Sequence, residues 1–232
     1  MEEAIIAIIG LAILIAILIG IIIFLRVILR DRSDYRKTGT TYYHPSTDRA
    51  GLYGEALVNF HLKQLLKGDE HLLTNLLLPL KNGGSVELDA VIVSHKGVFC
   101  IETKYWVGHI IGSDDEDIWY QEYDDPSRED REHLNPVKQN EGHCGVLDRI
   151  LHRHYPISNV VIFAELEDDS NLDSKYCFSL SEFEEHYDAL LDNVLTQDEI
   201  NAIYQILYKY IASDEELAKH RKQIQERYNH FN

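Results

Sequence analysis

The segment Val86–Trp106, V-E-L-D-A-V-I-V-S-H-K-G-V-F-C-I-E-T-K-Y-W, constrains the fold more than any other part of the chain. Two runs rich in Val, Ile and Phe flank Ser94-His95-Lys96-Gly97, the pattern of two antiparallel strands joined by a tight turn. Charged residues interrupt both runs where a buried strand would carry none. Glu102 and Lys104 are two apart, so the period of two points both to one face of a sheet. A loop of two or four residues sets Asp89 opposite Glu102, where cross-strand Cβ atoms lie roughly 4.5–5.5 Å apart and two carboxylates can share a cation. A three-residue loop with Gly97 as a left-handed bulge would shift the register by one, and a further bulge would be needed to restore that pairing. A second reading of the same residues is an ion-pair cluster of Glu87, Asp89, Glu102 and Lys104 on a solvated face. Exposed pairs contribute only about 0–1 kcal/mol each and need no function.

G-L-Y-G-E stands before the hairpin and N-P-V-K-Q-N after it. With these blocks, E-L-D-A-V-I-V-S-H-K-G-V-F-C-I-E-T-K-Y-W-V-G-H-I resembles the nuclease-related domain, NERD, of the PD-(D/E)xK nuclease superfamily, over roughly Gly51 to Ala164. Leu88 stands where the superfamily's motif has proline. The resemblance implies a restriction-endonuclease-like α/β core of order α-β-β-β-α-β. That core would comprise a helix from about Leu52, a mixed sheet centred on 86–105, a helix after Asn135 and an interior strand at 159–164. It also implies metal-dependent hydrolysis of phosphodiester bonds in nucleic acid, DNA ahead of RNA. Asp89 and Glu102 have the chemistry to hold Mg²⁺ or Mn²⁺, which takes one or two carboxylates with waters completing its shell. Lys104 would orient or deprotonate the attacking water and counter developing charge. Gln139 and Asn140 are implied as bonding the phosphate or a water on the metal. Glu55 has two readings: a further acid of the site, or a first-turn residue favoured by the helix dipole. The alternative function is a catalytically silent NERD module that binds or scaffolds at the membrane.

The membrane enters through Ala4–Leu25, about 22 residues without a charge, long enough at 1.5 Å per residue to cross a hydrocarbon core of roughly 30 Å. A secretory signal would start basic and carry a shorter apolar run, whereas this chain starts Met1-Glu2-Glu3. A buried core helix seldom runs so long without a polar face. Arg26, Arg30, Arg32, Arg36 and Lys37 follow, so the positive-inside rule expects a single-pass protein whose C-terminal part is cytoplasmic. The expected division is a transmembrane helix at 1–25, a basic juxtamembrane linker at 26–50, the nuclease-like domain at 51–180 and a helical extension at 181–232. Oligomeric state is left open.

The net charge of −17 is unevenly placed: 114–132 and 165–199 hold most of the acid, and the rest is near neutral. No basic stripe argues for phosphate tracking. Cys100, Cys144 and Cys177 are too few for a disulfide framework, and Cys100 reads as a small core residue. Twelve histidines show no zinc spacing. The apolar run at 72–80 is short enough for a strand, 175–180 adds an edge strand, and 109–112 could continue the sheet. Residues 113–132 read as an acidic loop, without the register of a calcium loop. Asn135-Pro136 starts a helix running to about His154, with Gln139, Asn140 and His143 on its polar strip. Three capping-box signals, Ser181 with Glu184, Thr196 with Glu199 and Ser213 with Glu216, predict three closing helices.

Overall fold

A computed structural model describes residues 48–81, 83–167 and 170–229. The apolar run at 4–25 and the linker as far as residue 47 lie outside these residues, and no described helix is long and apolar enough to cross a membrane. The described chain opens with α1 (Asp48–Leu65), β1 (His71–Pro79), β2 (Ser85–Ser94) and β3 (Gly97–Lys104). It continues through β4 (His109–Ser113), β5 (Ile118–Glu122), β6 (Arg131–Leu134), α2 (Pro136–Ile150) and β7 (Ile157–Phe163). It closes with β8 (Asn171–Asp173), β9 (Cys177–Ser179), α3 (Leu180–Ala189), α4 (Gln197–Leu207), a short 3₁₀ turn and α5 (Asp214–Asn229).

The central sheet has the order β1-β2-β3-β7-β9, with β1 to β3 antiparallel and β7 and β9 parallel to their neighbours. In the hairpin Ser94 pairs with Gly97, so the loop is His95-Lys96, but the ladder ends at Ala90↔Ile101 and the expected cross-strand pairing of Asp89 with Glu102 does not form. Helices cover both faces. Val58 and Leu62 of α1 and Phe183 and Tyr187 of α3 pack on Ala90, Ile92, Phe99 and Ile101. Leu147 of α2 and Ile200, Ile203 and Leu207 of α4 pack on Val91, Val93, Val98 and Cys100. The alternation within β2 and β3 supplies both layers, which explains why these strands are almost continuously apolar. Val160 to Phe163 are buried in β7, as the apolar run predicts for an interior strand.

Four local expectations are corrected. Strand β4 does not extend the central sheet; it begins a second sheet of order β6-β5-β4-β8. The acidic stretch 113–132 is therefore no plain loop, because β5 and the first residues of β6 lie in it. Trp119 and Gln121 turn inward on either side of exposed Tyr120, Trp119 lies against Gly112, and its Nε1 donates to the Ser113 carbonyl at 2.9 Å. Helix α2 ends at Ile150 rather than His154, since His152 and Arg153 both take a φ of 59° and leave the helical path. The first closing helix is capped by Ser179 with Glu182, not Ser181 with Glu184. Ser179 pairs with Phe163 at the end of β9, so the strand passes straight into the helix. The Thr196 and Ser213 caps form as expected.

Candidate active site

Asp89 sits at a break in two ladders. The β1–β2 register runs from His71↔Val93 to Pro79↔Ser85 but omits Asn75 and Asp89, and the β2–β3 pairing stops at Ala90↔Ile101. Asn75 has a φ of 60° and turns its carbonyl to Ala212 N–H at 2.9 Å. The inward-facing apolar residues accordingly step by three across the break, Leu73 to Leu76 and Leu88 to Val91. Strand β3 keeps its pairing with β7 as far as Lys104↔Phe163. Strands β2 and β3 thus part at this point, and Thr103 N–H donates to Asp89 Oδ2 at 2.8 Å in place of a neighbouring strand's carbonyl. A carboxylate is wedged into the opening of the sheet.

Glu102 and Lys104 project toward α2, as their spacing requires. Glu102 is 4 % exposed. Its Oε1 accepts from Lys104 Nζ at 2.7 Å and from Gln139 Nε2 at 2.8 Å. Lys104 Nζ also donates to Gln139 Oε1 at 3.0 Å, closing a three-membered network. Glu102 Oε2 lies 3.2 Å from His143 Nδ1 as an ion-pair contact, and neither atom has a hydrogen-bond partner among the described residues. Gln139 and His143 are one helical turn apart on α2 and so reach the same carboxylate. The helix is fixed by Asn135, whose Oδ1 accepts from Val137 and Lys138 N–H, and whose Nδ2 reaches the Ser113, Asp114 and Glu116 carbonyls.

The other side of the opening is acidic as well. A Cβ at Gly54 would meet Tyr105 Cβ at 2.7 Å, so only glycine lets α1 come this close to the chain after β3 and carry Glu55 inward. Arg221 of α5 makes a two-pronged contact with Glu87 and stands 4.0 Å from Glu55 Oε2. Burial drives the Glu55 carboxyl up to about 7, Arg221 opposing and Glu87 and Glu102 adding to the rise. Burial, with Glu102 and Glu55, also holds Asp89 well above the usual carboxylate range, although Thr103 N–H and Lys104 oppose it. Burial pushes Glu102 the same way, but Lys104 and His143 outweigh it and bring the group down to about 2.

The structure brings Asp89, Glu102, Lys104 and Gln139 together, with Glu55 near enough to interact with Asp89, Glu102 and Lys104. It separates Asn140 from the open side. That residue is fully buried, and its Nδ2 donates to Cys100 O, Asn159 Oδ1 and Val160 O, so it joins α2 to β3 and β7 and cannot reach a phosphate. The solvated ion-pair face does not form either: Glu102 is buried, and Glu87 turns to Arg221. Arg221 carries no local signal in the sequence, because only the docking of α5 brings it here. His143 was visible on the polar strip through its spacing of four from Gln139, but the strip does not reveal which acid it meets.

Among the described residues no three His, Cys, Asp or Glu side chains are grouped to form a complete metal cage. A Mg²⁺-type ion does not need one, since one or two carboxylates with waters and phosphate suffice. The residues fit such an ion on two observations: Glu102 Oε2 is a buried oxygen without a hydrogen bond, and three mutually repelling carboxyls, Glu55, Asp89 and Glu102, crowd the same opening.

Residues 50–164 match the family model of NERD, the nuclease-related domain. The matched span runs from α1 through β7 and contains every acid and amide of the network just described. Over 185 residues the chain is 24 % identical to an uncharacterized protein of Bacillus anthracis, covering 78 % of this chain and 85 % of that one. No solved structure matches the chain.

Proposed function

We propose that this chain is a membrane-anchored, metal-dependent nuclease that hydrolyses phosphodiester bonds of cytoplasmic nucleic acid. The observation that carries the reading is the parting of β2 and β3 at Asp89, beside the Glu102–Lys104–Gln139 network. The order α-β-β-β, then α-β after the inserted β4 to β6, supports a restriction-endonuclease-like core. Asp89 and Glu102 are the residues that would hold Mg²⁺ or Mn²⁺. Such an ion supplies activation of water and neutralisation of charge on the phosphoryl group. Lys104 has three N–H donors, of which Glu102 and Gln139 take two; the third is left for the attacking water or a phosphoryl oxygen. Gln139 holds both Glu102 and Lys104 and so fixes the angle at which the lysine points. Glu55 can hold a proton near neutral pH, which suits a group passing one to or from water. The anchor is the run at 4–25, and the basic residues after it favour a cytoplasmic domain.

The test is cleavage of end-labelled DNA and RNA by the full chain with Mg²⁺ or Mn²⁺ at low salt, where an acidic protein meets nucleic acid most readily. The wild-type chain should cut only with metal, and Lys104→Ala should lose about 10²-fold or more. Equal activity of the two would remove the lysine from the chemistry. A second reading, a module that binds at the membrane without cutting, is favoured by the net charge of −17. It becomes the better one if the folded, metal-loaded wild type is inert on both substrates.

A further inference from the structure

The rim of the acidic site carries aromatic rings on both sides of Lys104. The two residues after it leave β3 in opposite directions. Tyr105 meets Tyr53 of α1 edge to face, with centroids 5.6 Å apart at 83°. Trp106 lies flat on His133 of β6, with centroids 4.0 Å apart at 17°. Both pairs are held in place. Tyr105 is backed by the closely approaching Gly54, and the Trp106 edge rests on Phe163 at 5.6 Å. His133 is tied through Nε2 to Gln121 Oε1 at 2.8 Å, and Gln121 in turn donates to Val107 O at 2.7 Å. Burial, then Lys104 and Arg131, brings His133 down to about 4, so at neutral pH the stacked pair is an uncharged slab. Tyr53 is 56 % exposed, Trp106 is half-buried, and the Lys104 ammonium stands 5.7 Å from the indole centroid.

Charge selects the form of nucleic acid that can use such a rim. A duplex shows a protein its phosphates and groove edges, and tracking it takes a row of free Lys and Arg, whereas the basic side chains at this site, Lys104 and Arg221, are each paired with a carboxylate and the net charge is −17. A single strand also offers the faces of its bases, and stacking on aromatic side chains is tolerant of sequence and adds about 1–3 kcal/mol per base beside any phosphate contact. We propose that the site takes single-stranded nucleic acid, whose bases on either side of the scissile phosphate stack on the Trp106–His133 and Tyr53–Tyr105 pairs. This rests on the nuclease reading for its scissile phosphate, but the stacking itself does not require hydrolysis.

The chain has two tryptophans, and Trp119 is fully buried, so quenching of indole fluorescence by a base reports on Trp106. The full chain is titrated without divalent metal, at low salt, with a thymidine oligonucleotide of about a dozen nucleotides, its uridine counterpart, and the thymidine strand annealed to its complement. Single strands should quench saturably and bind at least about tenfold more tightly than the duplex. Trp106→Phe should lose the signal, and Tyr53→Ala, a change at an exposed ring, should weaken binding measured by anisotropy by about fivefold or more. Duplex binding as tight as single-strand binding would overturn the proposal, as would single-strand binding without quenching, or no binding at all. Quenching by a chain that cuts nothing would keep the stacking surface and remove the nuclease. Metal-dependent cutting with Trp106 unquenched and Tyr53→Ala unchanged would do the reverse.

Discussion

Three carboxyls of similar intrinsic acidity are driven apart by where the fold puts them. Glu102, buried but beside Lys104 and His143, is held down to about 2, while burial, with Glu87 and Glu102 adding and Arg221 opposing, lifts Glu55 to about 7. The Glu55 shift has a definite consequence for stability. Between its ordinary 4.5 and about 7 the folded chain keeps a proton that the unfolded chain has released, so this group's contribution falls as pH rises through that window. Glu55→Gln should therefore raise stability at pH 8 by on the order of 1–3 kcal/mol and change little below about pH 4.5. Calorimetric melts from pH 4 to 8 check this; a gain of equal size at both ends would contradict the burial account. At this scale the sequence was informative for Glu102 and Lys104, whose spacing of two puts both on one face, but not for the break that takes Asp89 out of both ladders. It was silent on Arg221, which comes from a helix more than a hundred residues further on, and on the role of Asn140, whose burial depends on how α2 lies against β3 and β7.

The elements that matter most for the site are β2, with its break, and α2, with its two asparagines. Asn140 is the internal bolt: removing its amide leaves the Cys100 and Val160 carbonyls without that donor in the core. Asn140→Ala should cost about 2–4 kcal/mol in urea unfolding. A loss under about 0.5 kcal/mol would mean that α2 is held by apolar packing alone. Asn75→Ala should also destabilise, by about 1 kcal/mol, since its φ of 60° is strained for a residue with an ordinary Cβ and no side-chain amide. Helix limits set by side-chain chemistry were readable, as the Asn135-Pro136 start and the Thr196 and Ser213 boxes show. The second sheet was not. Its inward residues, Trp119 and Gln121, form a five-residue alternation inside a long acidic run, too short a period to outweigh the charge. Ser179 and Ser181 carry the same capping spacing, and only the length of β9 decides between them.

For the molecule as a whole, the closing helices join the core that carries the site. Phe183 and Tyr187 pack on one face of the central sheet and Ile200, Ile203 and Leu207 on the other, while α5 delivers Arg221 to Glu87. Truncation after residue 180 should therefore leave an insoluble or molten chain rather than a trimmed active one, which circular dichroism and solubility would show. The proposed membrane anchor belongs to this scale too: protease added to intact cells should spare the domain, and its digestion there would reverse the proposed orientation. The central claim is that Asp89 and Glu102 hold the divalent ion while Lys104 serves the chemistry, and titration calorimetry of the full chain with Mn²⁺ tests it most directly. The account predicts saturable binding by the wild type, at least about tenfold weaker binding by Asp89→Ala, and binding within about threefold of wild type by Lys104→Ala. Absence of Mn²⁺ binding by the folded wild type, or binding that Asp89→Ala leaves unchanged, would contradict it.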